Sequence, residues 1–386
     1  MRSTLTNYGS VDKTLAIFTL AVCCSQSFPT AALGEELYLS RLQATLAGVG
    51  TNLPALTESA EQAAADFLAG GNLWVAGRQA EFISEACGRA GGLMCITPLG
   101  QHPPTNHDII LYAVPGGLDA NDSTLIKQWR SAGARVVSFE SAAAVFKERF
   151  PLDTVANVCA MWTWTGEFVA ACTRRGKMPV LYQSYGLPGG PERGKKYQGK
   201  KLHDDLVIRS IAAGVLGRAY LDQIQTMLAG IQKTQMPKIT QAAEWWRRCP
   251  TNSALVLVTG HMFPRHAQDP RAVACGKFMA APAWEDKELL DPANLPGFVL
   301  HLGYQFAPQK LVEQARASDV KLLYTTVQPA KPAEPAGNIL YLDPGWQLAD
   351  GCVAVPGYDV PILPASGVIQ AAIYWSIVSA RGFRQN

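Results

Sequence analysis

The 386-residue chain sets 34 Lys and Arg against 31 Asp and Glu, a net charge of +3, which leaves no broad basic footprint for DNA or RNA. Hydrophobic residues make up 48% and charged ones 17%. That composition excludes intrinsic disorder and supplies apolar material for two cores of ordinary domain size.

Arg2 and Lys13 precede an apolar stretch from Leu15 to Val22, and small residues follow at Thr30-Ala31-Ala32. Residues 1–32 therefore read as a secretory signal peptide cut after Ala32, the alternative being an apolar N-terminal helix. A cleaved signal places the mature chain in the periplasm or outside the cell; uncleaved, the same chain is cytoplasmic. No later run reaches the roughly 20 apolar residues of a membrane span. Seven of the nine cysteines follow the cut, without CxxC or finger spacing. They read as small buried hydrophobes, not as a zinc site.

After residue 32, apolar spacing of three and four predicts helices over 35–49 and 57–68. A short apolar run at 72–76, ending at Gly77, predicts a buried parallel strand. Helix 81–90, strand 93–97, strand 108–114, helix 123–132, strand 134–139 and helix 154–173 complete a first half, 33–184. The stretch 185–205 is rich in Gly and Lys and holds Arg193, Lys195, Lys196, Lys200 and Lys201. It reads as a solvated linker or as a flap over an anionic ligand. The second half, 206–386, predicts helices 206–231 and 240–248, then strands 254–259 and 297–302. Helix 308–317, strands 320–325 and 338–342, and helix 365–380 follow. Alternation of strands and helices argues for an α/β fold of two doubly wound parallel-sheet domains in tandem.

The halves also match each other. Tyr38-Leu39, Gln43 and Leu46-Ala47-Gly48-Val49 return as Tyr220-Leu221, Gln225 and Leu228-Ala229-Gly230-Ile231, a shift of 182 positions from 38 to 220. A period this long does not suit a solenoid, whose repeats run about 20–50 residues. It points to two copies of one domain.

Three stretches carry a family resemblance: Phe67-Leu-Ala-Gly-Gly-Asn-Leu-Trp-Val-Ala-Gly77, Glu85-Ala-Cys-Gly88-Arg89, and Asp108-Ile-Ile-Leu-Tyr-Ala followed by Gly133-Ala-Arg-Val-Val137. Together with the element order they resemble a sugar isomerase (SIS) domain, a flavodoxin- or Rossmann-type three-layer fold. The resemblance implies a phosphosugar received in the glycine loop after the first strand, and Glu85 as the catalytic base. Gly77 and Arg78 are the candidate ligand contacts of that loop, and Gly116 and Gly117 those of the next. The loops depart from the family. Where its second strand ends in a hydroxyl-rich phosphate loop, this chain reads Val114-Pro115-Gly116-Gly117, which has no hydroxyl and, at Pro115, no N–H. The corresponding loops of the second half read Gly260-His261-Met262-Phe263 and Gly303-Tyr304-Gln305-Phe306-Ala307. The family's histidine on the closing helix has no counterpart.

Glu81, Glu85 and Arg89, four apart, fit an exposed helical ladder equally well. Arg78 can grip an anion bidentately or be an ordinary surface arginine. Lys195, Lys196 and His203 are the ligand candidates of the basic segment, while Asp204 and Asp205 fit helix N-terminal capping. His102 and His107, and likewise His261 and His266, are five apart with no carboxylate cluster, so neither a metal nor another cofactor is expected. Trp162, Trp164, Trp245 and Trp246 read as packing residues. The expectation is a carbohydrate-derivative-binding protein, with an active phosphosugar isomerase or a noncatalytic exported scaffold as alternatives. Its partners are a small molecule and, left open, a second copy in a homodimer, with no nucleic acid.

Overall fold

Residues 17–19, 34–140, 152–250, 253–258, 277–280, 290–291, 294–328 and 337–381 of the computed structural model are described here. The proposed cleavage site and the loop 260–263, with His266, lie outside them.

Two parallel sheets face one shared layer of helices. In the first half, helices α1 (Gly34–Thr51) and α2 (Leu53–Leu68) lead into strand β2 (Leu73–Gly77). Helix α3 (Ala80–Ala86), strands β3 (Ile96–Pro98) and β4 (Ile109–Val114), helix α4 (Ala120–Ser131) and strand β5 (Arg135–Glu140) follow. Helix α5 (Leu152–Arg174) closes the half. Ile17–Thr19, within the apolar stretch read as a signal, forms an edge strand β1, giving the order β1-β5-β4-β2-β3. The second sheet has the order β10-β9-β8-β6-β7, built from β6 (Ala254–Val258), β7 (Lys277–Ala280), β8 (Phe298–Leu302), β9 (Lys321–Thr325) and β10 (Ile339–Leu342). Every pairing in both sheets is parallel. Parallel pairing requires crossovers, here helical, and buries both faces of each strand.

Strand alternation shows how the layers meet. Ile109, Leu111 and Ala113 point into the large core that joins both halves, whereas Ile110, Tyr112 and Val114 point into a smaller core with Ile126 of α4. In the second half Phe298, Leu300 and Leu302 face the shared core, and Val299 faces an outer core with helix α9 (Gln309–Arg316). Between the sheets, α5 and the C-terminal helix α10 (Ser366–Arg381) are buried almost throughout. Helices apolar all round belong in such a place, and Trp162, Trp164, Trp245 and Trp246 all pack there.

Several elements differ from the sequence reading, which had neither β1 nor β7. The helix expected over 206–231 starts at Val215, as α7 (Val215–Thr234). Gly214 is left-handed at φ 81°, and the buried Glu167 carboxylate of α5 accepts from Gly214 N (2.6 Å) and Gly217 N (2.8 Å), fixing the helix start from the other half. Helix α8 (Met236–Arg248) then completes the lead-in. The basic segment is docked: Gly190–Lys196 is helix α6, and its buried Arg193 donates to Leu181 O and to the Tyr358 hydroxyl. Finally, an antiparallel pair, β11 (Gly351–Val353) with β12 (Ile362–Pro364), precedes α10. These strands are three residues each and carry no readable alternation.

Candidate functional site

In open α/β sheets ligands sit beyond the carboxyl ends of the strands. Gly77 pairs with Ala113, and Val114 with Glu140, so the ends of β2, β4 and β5 lie side by side. Gly77 has φ 129°, and a Cβ there would stand 2.0 Å from Ala113 O, so the backbone runs where only glycine fits. The structure brings Gly77 and Arg78, at the end of β2, beside the β4 loop that holds Gly116 and Gly117.

Arg78 is spoken for. Its Nη2 and Nε donate to Asp122 at 2.7 and 3.3 Å, its Nη2 donates to Gly117 O at 3.3 Å, and Asp119 lies 3.6 Å away. The Tyr112 hydroxyl donates to Asp122 at 2.6 Å. Asp119 and Asp122 also form a capping box that occupies the N-terminus of α4. Burial opposes ionisation of Asp122, yet the bonds from Arg78, Asp119 N–H and Tyr112 hold its carboxyl below the ordinary range. The bond to Asp122 in turn raises the Arg78 guanidinium further.

Beside this pair lies a polar group that the sequence reading missed. Asn157 on α5 is fully buried; its Nδ2 donates to Gln79 Oε1 at 2.8 Å and to Val114 O at 3.3 Å. Gln79 Nε2, Asn157 Oδ1, Glu140 Oε1 and Ser138 Oγ are buried and meet no hydrogen-bond partner among the described residues. A small cavity of about 10 Å³, room for about one water, is lined by Glu140, Asn157 and Asn52 together with Val49, Leu56, Phe139 and Ala160. Burial pushes the Glu140 carboxyl up, with the Asp122 charge adding to it. A polar residue on an otherwise apolar helix was the signal available for Asn157; Gln79 and Glu140 gave none.

Glu85 sits elsewhere, inside the molecule between the halves. It is fully buried, so the exposed-ladder reading is corrected: α3 tucks this face against α5 and α10. Arg89 Nε lies 3.4 Å from Glu85 Oε1, while Arg89 Nη2 donates to Asp350 (2.7 Å) and to Ser366 Oγ (2.6 Å) of the second half. Asp350, at φ 64°, also accepts from Ser366 N at 2.9 Å and so caps α10. A Cβ on Gly367 would stand 2.3 Å from Glu85 Oε1, so α10 seals the carboxylate. Burial pushes Glu85 up to about 7; Arg89 and the Trp162 indole oppose this and Asp350 adds to it. Neither carboxylate oxygen reaches hydrogen-bond geometry with a described group.

Gly186, at the start of the basic segment, meets Gln305 of the loop after β8, but Lys195, Lys196 and His203 are bonded elsewhere or exposed. Lys201 donates to Gly70 O and Gly71 O, which precede β2 at its opposite end. Lys196 pairs with Asp205, and Lys195 is exposed on the same short helix. His203 is buried, with Nδ1 3.1 Å from Asp205 and Nε2 3.1 Å from the Tyr358 hydroxyl; burial lowers its pKa. Among the described residues no group of three or more His, Cys, Asp or Glu is placed to hold a metal, and no helix is long and apolar enough to cross a membrane.

No protein-family model matches the sequence, and no curated protein matches it. Solved structures do. The C-terminal domain of glucosamine-fructose-6-phosphate aminotransferase from Francisella tularensis is 8% identical with a TM-score of 0.50, over 92% of this chain and 98% of that one. Tagatose-6-phosphate ketose/aldose isomerase from Escherichia coli is 10% identical with a TM-score of 0.46, over 92% and 93% of the two chains. At this identity the likeness speaks for architecture. The chain has the fold of tandem sugar isomerase (SIS) domains.

Proposed function

We propose that the chain binds a carbohydrate derivative at the strand ends of its first half. One observation carries this reading: three side chains at least nine-tenths buried at the strand ends, Gln79, Asn157 and Glu140, keep donors and acceptors that meet no partner among the described residues. Buried polar groups without partners are costly, and a polyhydroxylated ligand supplies both donors and acceptors. Thermal-shift measurements against free sugars and sugar phosphates test it. A shift with at least one sugar, lost in Asn157→Leu, is expected; no shift with any sugar overturns the reading.

A second reading is aldose–ketose isomerisation with Glu85 as base. It rests on the carboxyl standing at about 7, near the operating pH a general base needs. Its obstacle is the seal formed by Gly367, which requires α10 to move before substrate reaches Glu85. Solvent deuterium uptake into a bound sugar, abolished by Glu85→Gln, would support it; uptake unchanged in that variant removes Glu85 from the chemistry.

A further inference from the structure

We propose that the basic segment, residues 185–205, is an acid-sensitive strap, fastened to the second half while His203 is neutral and released when His203 is protonated. The fastening is a set of buried groups that meet at one phenol. Tyr358, in the loop between β11 and β12, accepts from Arg193 Nη2 at 2.7 Å and from Leu181 N at 3.3 Å. A phenol oxygen so engaged has its own proton left to give, and His203 Nε2 stands 3.1 Å away to accept it. On the other side of the ring, Nδ1 lies 3.1 Å from Asp205 Oδ1, and an ionised carboxylate can only accept. Both contacts therefore require one neutral tautomer, protonated on Nδ1 and bare on Nε2.

A proton on Nε2 turns that acceptor into a donor. It then faces an oxygen that already receives two donors, and the phenol proton loses its acceptor. Water does not relieve the conflict, because the His203 side chain is 1% exposed and Tyr197 packs edge-on against it at 4.5 Å. The charges around the ring divide. Arg193, whose guanidinium lies 5.1 Å from the centre of the Tyr358 ring, opposes a second cation, whereas Asp205 and Asp359 favour one. Both acids are drawn elsewhere: Asp205 accepts from Lys196 and from the Tyr197 hydroxyl, and Asp359 pairs with Arg193 and is largely exposed. Burial outweighs them and lowers the His203 pKa. Asp205 stays ionised throughout, since its bond with Lys196 holds the carboxyl well below the ordinary range. Once released, His203 returns to its ordinary 6.5, so release takes up a proton and is favoured as pH falls below that value. The segment also holds the loop after β8, where Gln305 Nε2 donates to Gly186 O at 3.4 Å, so its release reaches a strand end of the second half.

Hydrogen exchange read by mass spectrometry on the full chain tests this, with rates corrected for the intrinsic pH dependence of amide exchange. The strap offers protected amides to follow, among them Tyr197 N, which donates to Arg193 O, and His203 N, which donates to Met178 O. Between about pH 7.5 and about pH 5, peptides covering 189–205 should lose protection about tenfold while those of β4 keep theirs. Glu85 does not produce such a loss, since acid strengthens the joint it occupies. His203→Gln keeps a donor and an acceptor but does not titrate, and should reduce the loss to below about twofold. Equal protection of the strap at both pH values, an equal loss in β4, or the same loss in His203→Gln overturns the proposal. Ring-nitrogen NMR of the unmodified chain is a second readout that needs no variant. His203 protonated on Nδ1 alone at neutral pH is expected, and a proton on Nε2 overturns the proposal.

Discussion

Two regions of the first half gather buried polar groups, and they resolve them in opposite ways. At the strand ends, Asn157 and Glu140 line a small cavity, and with Gln79 they keep atoms that meet no partner among the described residues. Between the halves, Arg89 links Glu85, Asp350 and Ser366, and α10 closes over them. Polarity that faces space reads as a ligand site, whereas polarity that faces another element reads as a joint. The difference also separates Arg78 from Arg89. Both answer two acids, but the first is half exposed and local, and the second is buried and spans the two halves.

The joint should be the costlier region to damage. Arg89→Ala strands the Asp350 and Glu85 carboxylates in the core, and a loss of about 3–5 kcal/mol in denaturant unfolding is expected. A loss below about 1 kcal/mol would show that the cluster does not join the halves. Glu85 adds a pH signature. Its carboxyl rises from the ordinary 4.5 to about 7 on folding, so between those values the folded protein holds the extra proton. Stability contributed by this group therefore falls as pH rises from about 4.5 to about 7, by about 3 kcal/mol in all, and is level above. Glu85→Gln should flatten that slope; an unchanged slope would move the titration to another group. Smaller again, Gly367→Ala forces a methyl against Glu85 and should cost about 1–3 kcal/mol by thermal or chemical unfolding. A neutral result would show that α10 yields easily, and would favour the isomerase reading by giving substrate a route.

The strand-end region should respond with little change in stability and a large one in binding. Glu140→Gln removes a carboxylate whose Oε1 meets no partner among the described residues, and its unfolding free energy should stay within about 0.5 kcal/mol of the parent. A large destabilisation would mean that Glu140 is structural, and the comparison would fail at that residue.

Much of the architecture was legible because local rules and packing agree. The apolar run ending at Gly77, the alternation of 109–114 and the spacing of α2 each pointed to the element that forms. The reading failed where tertiary contacts decide. Residues 206–214 were read as the start of a helix, yet Glu167 starts the helix at Gly214 from another element. The site divides the same way. Gly77, Arg78, Gly116 and Gly117 were visible in loops at predicted strand ends. That Arg78 would be neutralised by Asp119 and Asp122 depends on the angle at which α4 leaves the sheet. Asn157 and Gln79 meet across 78 positions, and no local pattern encodes that pairing. Glu85 was visible as a motif, but its burial depends on a helix that begins at Ser366.

The contrast itself is tested most directly by sugar titration of Asn157→Leu and Glu85→Gln in parallel, each first checked for folding by circular dichroism. Binding abolished in Asn157→Leu and retained in Glu85→Gln is the predicted result. The reverse pattern, with binding retained by Asn157→Leu and lost with Glu85, would place the ligand at the joint and contradict the account.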